Sequence, residues 1–139
     1  MAKECHTFDL PADIGLTAQA DSAGELLEAL AEGLADLICP RASVQARETV
    51  ELDVQADDWD SLAVTFLWRV MDLIQADHKA LASVTVTRAE PTAAHARIAC
   101  ERLDLHRHEI LTEVKAVTYH QLEFRHDGRR WAGRVVLDL

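Results

Sequence analysis

The chain has 139 residues, near the commonest size of a single folded unit, and its 49% hydrophobic content with only three Pro and five Gly argues against a disordered or fibrous protein and for one globule spanning 1–139. Fourteen basic against 24 acidic residues leave a formal net charge of -10, which disfavours unaided binding to a phosphate backbone because like charges repel. Cys5, Cys39 and Cys100 form no CxxC pair, the Met1–His6 stretch has no apolar signal core, and no apolar run nears the roughly twenty residues of a membrane span; a reduced, cytoplasmic protein outside the membrane is expected.

Residues 7–20 carry Phe8, Leu10, Ile14, Leu16 and Ala18 in alternation broken by Pro11, which predicts two short strands around a turn within Pro11-Ala12-Asp13-Ile14-Gly15. Ser22 and Glu25 form a capping box. Leu26, Leu27, Leu30, Leu34, Leu37 and Ile38 then recur at helical spacing until Cys39-Pro40 ends the run. Val50, Leu52 and Val54 alternate with Glu51, Asp53 and Gln55 as in a half-exposed strand. A second helix follows, capped by Asp58 or Asp60, with Leu62, Phe66, Leu67, Val70, Met71 and Ile74 on one face to about Ala76. The remainder reads as strands. Val84 and Val86 precede Pro91, residues 94–100 follow, and residues 114–124 and 131–139 flank the hairpin turn Asp127-Gly128. The pattern predicts an α+β fold with two helices packed on one side of a mainly antiparallel sheet.

No GxSxG elbow, P-loop, GxGxxG or HExxH motif is present, so ordinary hydrolase, nucleotidase and dehydrogenase readings have no motif behind them. His106 and His108 form an HxH pair with His120 beyond them, but no third zinc ligand stands in a recognised register, and these histidines read as surface or loop residues. Two acidic positions are more pointed: Asp13 lies in the turn between the first strands, and Asp138 is next to Leu139, whose carboxylate adds a second hard oxygen at the same tip. If the first strand pair neighbours the last strand, these oxygens suit Mg²⁺, Ca²⁺ or Mn²⁺; solvated surface carboxylates are the plain alternative. Lys115 is a lone cation among β-prone residues, and such a lysine either reaches water or pairs with a carboxylate such as Glu113.

The run Thr112-Glu113-Val114-Lys115-Ala116-Val117-Thr118-Tyr119-His120, preceded by His108-Glu109 and followed by Trp131 and Val135-Val136-Leu137-Asp138-Leu139, closely resembles the archease family. Ala12-Asp13-Ile14-Gly15 is similar to that family's N-terminal H-T-A-D-I-G motif, and residues 61–74 are similar to its second helix. The likeness departs at Leu10-Pro11, where the family has His-Thr, and at Thr65, where members often carry an acid. Archeases assist the RtcB-type RNA ligase, which joins RNA ends bearing a cyclic or terminal phosphate to a 5′-hydroxyl in tRNA splicing and RNA repair. The resemblance therefore implies an accessory protein and not an enzyme, one that promotes GTP-dependent guanylylation of the ligase and its multiple turnover, and meets RNA through the ligase. It further implies a divalent-metal site at Asp13, Asp138 and Leu139, with Lys115 on the surface that activates the partner. Two other classes remain open from the residues: a general chaperone or protein-interaction module, and an independent metal-dependent hydrolase using the two aspartates.

Overall fold

The computed structural model describes residues 3–139. Strands β1 (Glu4–Leu10) and β2 (Asp13–Ala20) form a hairpin whose connection is Pro11-Ala12, shorter than the predicted turn. Proline presets the first turn position, and Ala12 takes φ 63° to close it. Helix α1 (Ala23–Ile38) begins where the Ser22 hydroxyl accepts from Glu25 N at 3.1 Å, and stops before Pro40. Strand β3 (Glu48–Gln55) leads to helix α2 (Trp59–Gln75), capped by Asp58 and not Asp60. Asp58 accepts from Ser61 N at 2.8 Å, and Ser61 Oγ accepts from Asp58 N in return. Strands β4 (Lys79–Glu90), β5 (Ala93–Arg102), β6 (Ala116–His126) and β7 (Trp131–Asp138) complete the chain.

The α+β class and the antiparallel pairing hold, but the strands divide between two sheets, ordered β1-β2-β7-β6 and β3-β5-β4. Both helices contribute to one buried cluster: Leu26, Leu27, Leu30 and Leu34 of α1 and Phe66, Leu67 and Val70 of α2 lie within it, with Leu16, Ile98 and Val135 from the sheets. Gly133 of β7 permits the close approach of α1. A Cβ there would sit 3.1 Å from Leu30 Cδ1 and 3.2 Å from Leu26 Cδ1. At the turn end of the same hairpin β6–β7, Trp59 of α2 packs on Phe124 and Trp131 with ring centroids 5.5 and 5.1 Å away.

The edge of the smaller sheet at β4 is covered by side chains. Glu32 and Glu28, one turn apart on α1, accept the backbone N–H groups of Val84 (3.1 Å) and Val86 (2.8 Å) on edge strand β4. These carboxylates occupy donors that would otherwise recruit another strand. The connection from β6 to β7 uses 127–130 instead of two residues, because the Asp127 carboxylate accepts from both Arg129 N and Arg130 N while Gly128 takes φ 96°. Edge strand β6 also bulges: Thr118 pairs with Val136 and Glu123 with Arg134, so three extra residues loop out between them, with Gln121 at φ 54°. Among the described residues no helix is long and apolar enough to cross a membrane.

Candidate functional site

Along β2 the buried side chains are those of Leu16, Ala18 and Ala20, so Asp13, at an odd position, lies on the face opposite to them, where Gly15 is also buried under the Phe8 ring. In β7 Val135, Val136 and Leu137 are all buried, and the strand ends on the exposed Asp138. The register brings the two together, since Asp13 and Asp138 are direct cross-strand partners. Opposed Cα atoms in an antiparallel pair stand about 4.5–5.5 Å apart with their side chains on one face. Asp13 is half-buried and Asp138 exposed. Leu139 packs against the core and pins the chain directly after the pair. Two like charges in such opposition repel, and a cation between them removes the penalty.

On the other side of β7, Ala116 pairs with Asp138, and Lys115 N donates to the Asp138 carbonyl at 2.8 Å. Asp13 and Asp138 therefore occupy adjacent strands at one sheet end, and Lys115 directly precedes β6 on the other side of β7, with its side chain exposed. Strand β6 begins at Ala116 and not at the expected Val114, because Val114 finds its partners elsewhere. Its N–H donates to Gln75 Oε1 and its carbonyl accepts from Gln75 Nε2, both at 2.8 Å. Trp68, two turns earlier on α2, donates from Nε1 to the Val117 carbonyl at 3.1 Å. Sequence reading missed Gln75 and Trp68; their seven-residue spacing on one helix face was the available signal.

Among the described residues no three His, Cys, Asp or Glu side chains gather to hold a metal ion. The aspartates are a pair, and Leu139 follows Asp138 directly in the chain. His6, four residues before Leu10, pairs with Thr17 on β2, so it stands about 13 Å along the strand from the Asp13 end. His108, read as a surface or loop residue, does lie in the loop between β5 and β6 but is buried there, 3% exposed. Its Nε2 lies 3.1 Å from Glu101 Oε2 and its Nδ1 accepts from Asp104 N at 2.9 Å. Glu101, 2% exposed, also accepts from Arg107 and from Gln45 N. The Arg107 guanidinium first, then the Gln45 amide, hold its carboxyl down to about 2. This network fastens the loop between β5 and β6, which delivers Lys115, onto the smaller sheet.

The archease protein family model matches residues 6–139. The chain is 35% identical over 138 residues to an archease of Thermococcus gammatolerans, covering 95% of this chain and 96% of the relative. It is 30% identical over 142 residues to an archease of Pyrococcus abyssi, covering 99% of each. Its fold is similar to the solution structure of protein 1598 of Methanobacterium thermoautotrophicum, with a TM-score of 0.73 at 24% identity over 97% of this chain and 98% of that one.

Proposed function

The chain belongs to the archease family, and on that premise we propose that it is an accessory activator of an RtcB-type RNA ligase, promoting GTP-dependent guanylylation of the ligase in tRNA splicing and RNA repair. The observation that carries the reading is the pairing of Asp13 with Asp138 beside Lys115 at one exposed sheet end. Asp13 and Asp138 would hold a divalent ion between facing carboxylates, with a main-chain oxygen of Leu139 as a third donor. Such hard oxygens suit Ca²⁺, Mg²⁺ or Mn²⁺. A bound ion supplies positive charge that phosphate oxygens of a nucleotide can share.

The protein's own residues orient that charge. The carboxylate pair keeps it at the tip, and the Lys115 ammonium adds a second cation from the segment just before β6, directed at the partner's nucleotide site. The net charge of -10 suits docking on a basic, RNA-handling enzyme, and RNA is met through that enzyme. Three free thiols suit a reducing cytoplasm. A protein-contact role has its own support in the exposed Leu105 (72%), Ile110 (43%) and Leu111 (53%) on the loop before Lys115. As a general chaperone, the chain would retain its function after substitution of both aspartates.

The test mixes the chain with its ligase and labelled GTP and follows covalent guanylate on the ligase. Wild type is expected to accelerate guanylylation; Asp13→Ala, Asp138→Ala and Lys115→Ala each lose most of the effect. Equal rates and yields with wild type, the variants and no addition would refute the reading.

A further inference from the structure

We propose that Gln75 and Trp68 are positioning residues that set the placement of Lys115, an inference that rests on the activator reading of Lys115 given above. Strand β6 lies at the edge of the four-stranded sheet, so its outward backbone groups have no neighbouring strand. Helix α2 provides the partners instead. The Gln75 carboxamide meets Val114 with both its oxygen and its nitrogen, as a strand residue would, and the Trp68 indole N–H takes the Val117 carbonyl. Seven residues of helix span about 10.5 Å and three residues of strand about 10 Å. The two contacts on α2 thus match the two contacts on β6 in spacing.

Lys115 lies inside this bracket. Its own N–H is bound to the Asp138 carbonyl, so the segment 114–117 is held on one side by α2 and on the other by the strand that ends in the aspartate. The buried Val114, 1% exposed, has no water to replace the carboxamide. Losing Gln75 frees the residue directly before Lys115, and the backbone that carries the ammonium is then no longer held in place relative to the Asp13–Asp138 pair. Misplacement of a group by about 1 Å can cost on the order of a hundredfold in rate.

The experiment is a double-mutant cycle on ligase guanylylation with Gln75→Leu, Lys115→Ala and the combination, repeated with the isosteric Gln75→Glu, which keeps the acceptor for Val114 N but sets an oxygen against Val114 O. Amide hydrogen exchange follows Lys115 N–H in parallel. Both Gln75 variants are expected to lower stimulation tenfold or more by the geometric argument, and to leave the Lys115→Ala protein no worse. They should raise exchange at Lys115 N–H while core amides such as those of Leu16 and Phe66 stay protected, which separates loss of placement from loss of fold. Trp68→Phe, which keeps the ring and removes the donor, should act in the same direction more weakly. Full stimulation by both Gln75 variants, with Lys115→Ala inactive, overturns the positioning role and leaves the activator reading standing. Losses that simply multiply in the double variant also overturn it, because Gln75 would then act apart from Lys115. A fully active Lys115→Ala protein overturns both.

Discussion

Replacing Glu32 tests whether a carboxylate on a helix can do the work of a missing strand. Glu32 is 8% exposed, accepts from Val84 N, and lies 2.9 Å from Lys3 and 3.4 Å from Arg41. In Glu32→Ala the two cations keep other partners, since Lys3 still reaches Glu28 and Arg41 still reaches Asp36. The Val84 N–H keeps none, and Val84 is 3% exposed. Orphaning a buried donor costs about 1–3 kcal/mol, so Glu32→Ala should lose about 2 kcal/mol. Glu32→Gln retains the accepting oxygen and gives up partly exposed ion pairs, which are worth about 1 kcal/mol or less. In equilibrium urea unfolding, with a slope of about 2 kcal/mol/M, the alanine variant should shift its midpoint by about 1 M and the glutamine variant by half of that or less. Equal shifts would mean that the charges and not the edge hydrogen bond carry the stability, and the edge-capping argument would fail.

Calcium should raise the melting temperature of the wild type, with about 2.7 kcal/mol of added stability when the ion is a hundredfold above its dissociation constant; differential scanning with Ca²⁺ and then with a chelator measures this. Asp138→Asn should abolish that gain yet slightly stabilise the metal-free protein by relieving the opposed charges, and a metal-free variant less stable than wild type would contradict the pairing argument. Because the Glu101 carboxyl sits at about 2, below its ordinary 4.5, its contribution is complete above pH 4.5 and drains away as the pH falls toward 2. Glu101→Gln should therefore flatten the acid limb of a stability-versus-pH curve in that window, read by circular dichroism. Burial pushes the Cys5 and Cys100 thiols up to about 11, so native protein at pH 8 should resist alkylation that proceeds readily in urea, as mass spectrometry will report.

Local signals determined most of the elements. The capping residues Ser22 and Asp58, the leucine period of α1, and the breakers Pro11, Pro40 and Gly128 act through groups a few residues away, so linear order suffices to read them. The alternation of Phe8, Leu10, Ile14, Leu16 and Ala18 marked the first two strands, but left Asp13 in the turn instead of at the first position of β2. Whether Asp13 meets Asp138 was decided by tertiary structure, because that contact depends on β7 returning beside β2 in one register. A slip of one residue would have sent Asp138 to the core face. The division into two sheets escaped the sequence for the same reason, as pairing partners are chosen by the packing of both helices and not by strand composition. Gln75 and Trp68 shared only a seven-residue spacing in the linear pattern, which says nothing of their partners: an amide at a helix end reads as solvent-facing until the edge strand it completes is folded against it. The buried His108 was equally silent, since its partner Glu101 lies across a loop whose path only the folded chain defines.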